Sequence, residues 1–421
     1  MTTLRAVAGP AEGTPESRWK SGTFRALGYR NYRLFWFGNS ISFVGDWLDQ
    51  VALNWLVISS TGDPVMLGLV NLGRGLPIVL FTMFGGVVAD RIDRRTMLFC
   101  TQFLAMIVAI GLACVVAFFH SSIWLIAALA TCRGLIVAFN LPARHSLVYH
   151  LVPHQAVASA VSLNSITLNL AKIIGPLASA MIISVFGITA CFVANALSFT
   201  VVMAMLMLLE LPADKLERKK EPFLASLVGG FSYLKREPIL LMLVMVALVP
   251  TFFCQPYIQF LAVFSAQVFH AGPGGLGVMT ALAAAGSICG GLLASRLQRD
   301  ARKGSVMLVF MALFGLGLIA FSWMPSLYVA IPFLFGAGAM HVAYNSSNNT
   351  ILQLTVDDAY RGRVLSSLFM TRGLTPMGTA TMALLSTVAG PRLAMTLMAS
   401  VVVAFAVILW NWMPKLRNLT V

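Results

Sequence analysis

Apolar residues along this chain come in long blocks, not in alternation. From Phe35 to Trp412, stretches of roughly 20 residues with few charges follow one another, each enough to cross a hydrocarbon core about 30 Å thick as a helix. Short polar breaks separate them. The pattern predicts about twelve spans, over residues 34–58, 66–89, 96–118, 122–147, 157–185, 188–209, 238–265, 274–295, 303–323, 326–353, 363–388 and 391–412. Runs such as Met97–Phe119 and Leu397–Trp410 lack the dyad alternation of a barrel strand, so the predicted fold class is an all-α polytopic membrane protein. One longer polar insertion, Leu211–Arg236, divides the spans. The expected organisation is an N-terminal segment over 1–33, a six-helix bundle over 34–209, a linker over 210–237, a second six-helix bundle over 238–412 and a tail over 413–421.

Composition agrees: 58% hydrophobic residues, 10% charged and a mean hydropathy of +0.84 exclude a water-soluble domain of 421 residues. The net charge of +14 does not point to nucleic acid, because Lys and Arg sit in the short breaks and form no aromatic-studded face. It is an orientation signal. Arg18, Lys20, Arg25, Arg30 and Arg33 precede the first span, and Lys415 and Arg417 follow the last. Every second break is basic as well, through Arg91, Arg94 and Arg95, Arg144, Lys215–Lys220, Arg296–Lys303, and Arg361 with Arg363. Excess positive charge stays inside, which predicts cytoplasmic termini. The six cysteines lie in apolar segments with no CxxC pair and no metal-like spacing, so they read as packing residues, and neither a metal nor a cofactor is expected. Residues 1–23 lack the apolar core of a signal peptide, so the first helix is expected to be retained.

The two halves echo each other. GGVVADRIDRR (Gly85–Arg95) returns as GGLLASRLQRDARK (Gly290–Lys303), and SVFGITACF (Ser184–Phe192) corresponds to STVAGPRLAM (Ser386–Met395). Gly86, Asp90, Arg91, Arg94 and Arg95 also fill the pattern G-x-x-x-D-R-x-x-R-R, in which the chain resembles the major facilitator superfamily (MFS) from about Phe24 to Ala399. Within it, Arg30–Val57, Leu141–Pro153 and Asn169–Pro176 are similar to the bacterial branch of enterobactin and macrolide exporters. The antiporter motif G-x-x-x-G-P-x-x-G-G is met by Ala171, Gly175, Pro176, Ser179 and Ala180: every glycine position holds a small residue, but one glycine remains. Gly175 and Pro176 are the helix-packing candidates. The resemblance implies twelve helices in two pseudo-symmetric six-helix bundles, working by alternating access around a central cavity.

Asp90 can pair with Arg94 or Arg95 and face the positive N-terminus of another helix, the eleventh being the candidate. Such a latch across the halves favours the state closed inside; a solvated topogenic loop is the alternative. In the first span, Asp46 and Asp49 are the only acidic residues assigned to any span. A charge at mid-bilayer costs about 2.5–3.5 kcal/mol on insertion scales, so it faces a partner or a water-filled cavity. At 100° per residue Asn39, Ser42, Asp46, Asp49, Gln50 and Asn54 share one face. Asp46 lies about 18 Å along its span, near the midplane. Either aspartate is a candidate proton carrier, against the alternative of a structural carboxylate. Arg133, with Asn140 and Arg144 on its face of the fourth span, is placed to hold one of them ionised, or to form a structural pair.

Lys172 and Arg372, in the fifth and eleventh spans, and the shallower Arg74 would make a cavity richer in cations than in carboxylates. That suits a substrate with anionic or hydroxylated groups; pairing with backbone carbonyls is the alternative. His341, Asn345 and Asn348 share a face of the tenth span, and Gln255 and Gln259 one of the seventh, beside the helix-breaking Pro250 and Pro256. The expected cavity set is Asn39, Asn54, Arg74, Asn140, Lys172, Gln255, Gln259, His341, Asn345 and Arg372. The expected function is a proton-coupled antiporter exporting a small amphipathic drug or siderophore across the bacterial cytoplasmic membrane. Its expected partners are the substrate, protons and membrane lipid; it is read as a monomer, with no nucleic acid. A lysophospholipid transporter, or a non-transporting receptor or scaffold on the same fold, is the alternative. The chain has no G-x-x-x-x-G-K-[ST] motif and no Ser/His/Asp constellation, which argues against ATP coupling and against an enzyme.

Overall fold

The computed structural model describes residues 22–89, 92–119, 122–210, 238–297, 303–356, 373–417 and 419. Asp90, Arg91, Arg372 and nearly all of the linker lie outside the described residues. Among the described residues every regular element is helical: α1 (Arg30–Thr61), α2 (Pro64–Ala89), α3 (Arg94–Phe118), α4 (Ile123–His150), α5 (Val157–Phe186) and α6 (Ile188–Met207) form the first half. The second half contains α7 (Pro238–Phe253), α8 (Tyr257–Val263), α9 (Gly272–Leu297), α10 (Lys303–Trp323), α11 (Leu327–Thr355) and α12 (Leu374–Trp412), with a short α13 (Pro414–Arg417) at the end.

Among the described residues ten segments are long and apolar enough to cross a membrane, α7 and α8 with the π turn that follows counting as one. Two facts bring the number of crossings to twelve. First, α1 is long enough, but Arg30, Arg33, Asp46 and Asp49 lower its hydropathy. Second, α12 is a 39-residue element with non-helical backbone at Gly390, and at 1.5 Å per residue it is nearly twice the length of a single crossing.

The internal repeat is visible in the backbone. Gly390 has φ 79° and ψ 162°; Gly187, at the matching place in the first half, has φ 81° and ψ 172°. Only glycine enters this region freely, so each half makes the same reversal before its last helix. Gly85 and Gly290, the paired glycines of the other repeat, act alike. A Cβ at Gly85 would lie 2.4 Å from the carbonyl oxygen of Ala138 in α4, and one at Gly290 would lie 1.9 Å from that of Ala339 in α11. Lipid tails are as apolar as leucine, so close backbone approach through small residues, not apolar burial, holds such helices together.

The seventh crossing is broken. Pro256 cannot donate a backbone hydrogen bond, the N–H groups of Cys254 and Gln255 both turn back to the carbonyl of Pro250 (2.9 Å each), and α8 ends in a π turn over Phe264–Val268. At one end of the bundle, here the basic end, Arg25, Arg30, Arg94, Arg95, Lys303 and Arg417 lie near the N-terminal turn and the α2–α3 and α9–α10 connections. Tyr32 ties α1 to α5 near that end by donating to the carbonyl of Ala160 (2.8 Å).

The other, short-loop end carries Gly62, Gly187, Gly272 and Gly390, and there the halves press together. Pro176 and Ala180 of α5 meet Gly277 of α9; Gly68 of α2 meets Ala380 and Ala383 of α12; and deeper along the same seam Gly75 meets Pro376. Across the seam Gln267 donates from Nε2 to the carbonyl oxygen of Gly62, the left-handed cap of α1, at 2.8 Å.

Candidate translocation site

The polar stripe of α1 divides in two. Asn39, Ser42, Asp49 and Asn54 are buried against neighbouring helices, whereas the Asp46 side chain keeps 27% of its surface accessible. Asp46 Oδ1 is 2.5 Å from Arg133 Nη2 of α4, and the guanidinium of Arg133 also stacks 4.9 Å from the ring centre of Phe199. Asp49 is held separately. Its Oδ2 lies 3.1 Å from Arg74 Nη1 of α2, an ion pair that is close but not aligned as a hydrogen bond, with the carboxylate side chain 3% exposed. Arg144 packs its guanidinium over Phe43 at 4.8 Å and lies near enough to Asp46 and Arg133 to feel both charges. The cluster therefore sets two carboxylates against three guanidiniums.

The second half answers with neutral polar groups. At the break before α8, Gln255 Nε2 is 3.4 Å from His341 Nε2 of α11, and Gln255 Oε1 accepts from Thr375 Oγ1 of α12 at 3.3 Å. His341 is flanked by aromatic rings, Phe314 at 5.0 Å and Tyr344 at 5.7 Å between centroids. Lys172 of α5 lies within electrostatic reach of His341, so one cation of the first half addresses the polar node of the second. Asn348 is 1% exposed with both amide atoms unpaired, as is Gln259 Oε1. Asn345 is engaged with Asn349 on its own helix (3.0 Å).

The remaining candidates serve helix contacts. Asn54 Oδ1 accepts from Asn71 of α2 (3.0 Å), Asn140 donates to Thr101 of α3 (2.8 Å), and Asn39 reaches Asn164 of α5 at 3.5 Å. Gly175 lets α5 onto α1: a Cβ there would be 2.5 Å from Trp47 Cβ and 3.0 Å from the carbonyl oxygen of Val44. Arg94 Nη1 is 2.6 Å from His150 Nε2, and Arg95 donates to the carbonyl oxygen of Met207 (2.8 Å). Gly86 has open space where a Cβ would stand. The partners Asn71, Thr101, Asn164, Thr375 and Gln267 were not singled out from the sequence, since lone polar residues in apolar runs carry no signal of what they will face.

A broken helix beside a polar node, charges paired between helices and two similar halves are features that a membrane transporter requires. Residues 21–420 match the transmembrane secretion effector family of MFS transporters. The chain belongs to that family. This MFS transporter is 25% identical over 363 residues to the staphyloferrin A transporter of Staphylococcus aureus, a match covering 85% of this chain and 90% of that protein. It is 20% identical over 348 residues to macrolide efflux protein A of Streptococcus pyogenes, covering 80% and 85%. Its fold matches the crystal structure of a bacterial homolog of the human lysosomal transporter Spinster, in the inward-facing and unoccupied conformation. The TM-score is 0.73 at 16% identity, over 93% of this chain and 99% of that one. The protein is a multi-pass membrane transporter of the MFS type.

Proposed function

We propose that this transporter exports a small amphipathic compound, a siderophore or a drug, in exchange for protons, with Asp46 as the proton carrier. The observation that carries the reading is the contrast between the two aspartates. Asp46 is paired yet 27% exposed in its side chain, so a proton can reach it; Asp49 is 3% exposed and enclosed by α1 and α2. Ionised and held charged by Arg133, Asp46 can accept hydrogen bonds from hydroxyl or other donor groups of a substrate; protonated, it loses that charged acceptor and the substrate is released. Substrate and proton then compete for one carboxylate, which is what exchange requires. The names of the two relatives support a siderophore or macrolide-like substrate.

The basic end belongs in the cytoplasm by the charge rule, and the membrane is then the bacterial inner membrane. The close α5–α9 and α2–α12 contacts at the short-loop end support access to Asp46 from the basic end. Reconstitution into liposomes loaded with a pH-sensitive dye tests the proposal, with siderophores and macrolides as substrates. Asp46→Asn should bind more weakly a compound that the wild type moves, while substrate-driven proton flux disappears. Undiminished proton flux in that variant, or binding by the wild type with no proton movement, overturns it.

A further inference from the structure

On the outer face of the first half an apolar groove with a volume of ≈ 420 Å³ runs between α3 and α6, within the range of about 300–1,000 Å³ typical of small-ligand sites. Phe99, Phe103 and Met106 of α3 form one wall, and Met203, Ala204 and Met207 of α6 the other. The spacing within α3, four residues then three, keeps its three side chains on one helix face.

Each end of the groove is defined. At the basic end Arg95, one turn before Phe99 on the same face, donates from Nη2 to the carbonyl oxygen of Met207 and so stands at the mouth (2.8 Å). At the inner end Thr200 Oγ1 reaches Met106 Sδ across the gap (3.6 Å) while it also bonds the carbonyl of Ala196 (3.3 Å), and this contact parts the groove from a second apolar one of ≈ 430 Å³ that continues on the same α3–α6 face toward Phe118. From Arg95 to Met106 is 106 − 95 = 11 residues, or about 17 Å at the helical rise, and one leaflet of a 30 Å core is about 15 Å deep. The groove is as deep as one acyl chain's leaflet and has a guanidinium at headgroup height.

We infer that this groove holds an acyl chain of an anionic phospholipid from the leaflet at the basic end, with its phosphate on Arg95. The guanidinium stem can lie along the apolar wall while the fork faces the headgroup, where it matches phosphate oxygens. The nearest acidic neighbour in sequence, Asp93, is turned to the start of α3, where its Oδ2 accepts from Thr96 N (2.8 Å) and Thr96 Oγ1 (2.9 Å). The site is separate from the charge cluster of α1, and the lipid is a bound component there, not cargo.

Native mass spectrometry of the full-length protein released from nanodiscs of equal phosphatidylglycerol and phosphatidylcholine tests this. The wild type should retain phosphatidylglycerol preferentially, Arg95→Gln should lower that retention about fivefold, and Arg95→Lys, which keeps the charge but not the fork, should keep most of it. Ala204→Trp, which fills the groove from an exposed position, should lower retention of both lipids. Equal retention of the two lipids by the wild type and Arg95→Gln overturns the assignment. So does unchanged retention in Ala204→Trp, which would leave a headgroup contact with no chain in the groove. Displacement of phosphatidylglycerol by millimolar inorganic phosphate would assign Arg95 to a free anion instead.

Discussion

Gly277→Ala adds one methyl group at the seam between α5 and α9. The new Cβ would lie 2.5 Å from Ala180 Cβ and 2.6 Å from the carbonyl oxygen of Pro176, whereas carbons pack best at about 3.5–4.0 Å. Neither neighbour can swing aside: one is a methyl fixed to the backbone and the other is backbone. The two helices must therefore part by about 1 Å, and overpacking of this kind costs about 1–3 kcal/mol. Only the state in which the short-loop end is shut bears that cost, so the equilibrium should move toward the state open at that end by about 5- to 150-fold. Spin labels at Phe186, 73% exposed, and at Gly274, where a Cβ meets nothing within 4 Å, report the width of that end. In a background with the six native cysteines replaced, the longer-distance population should grow in Gly277→Ala. Identical distance distributions in parent and variant would refute the claim that this seam sets which end is open.

The remaining predictions use the same structure. Arg74→Met leaves Asp49 buried without its partner, so stability should fall by about 3–5 kcal/mol, read as a lower unfolding midpoint in detergent. Adding Asp49→Leu should recover most of the loss; a single variant as stable as the parent would show that the pair carries no weight. Gln267→Ala removes the hydrogen bond to Gly62 across the halves, worth about 0.5–1.5 kcal/mol and nearer the lower figure because it is exposed. The same label pair should show a smaller shift in the same direction as Gly277→Ala, and a shift toward the closed state contradicts the role given to this hydrogen bond.

Several features were legible because they are local. Apolar runs of bilayer length announce helices wherever they stand, and the crossings follow them closely, as at Ile188–Met207 against an expected 188–209 and Lys303–Trp323 against 303–323. The repeat was legible at SVFG and STVAG because a reversal of the chain needs a glycine in the same backbone conformation each time, and Gly187 and Gly390 supply it. Helical periodicity likewise gathered Asp46, Asp49, Asn39 and Asn54 on one side of α1.

Periodicity stops at naming a face; it does not say which neighbour the face will meet. Arg133 was equally suited to Asp46 or Asp49, and Arg74 to substrate or to backbone carbonyls, until the crossing of α1 with α2 and α4 gave Arg133 to Asp46 and Arg74 to Asp49. The same holds for the seam, whose two sides are separated by 277 − 180 = 97 residues, and for the α3–α6 groove, whose walls come from helices about 100 residues apart. Charge and hydropathy act on each segment through its surroundings of water or lipid, so they can be read in sequence order. Pairing, closure and cavity shape depend on distances between backbones that the chain order leaves open, because in lipid small residues and hydrogen bonds, not apolar burial, choose which helices touch.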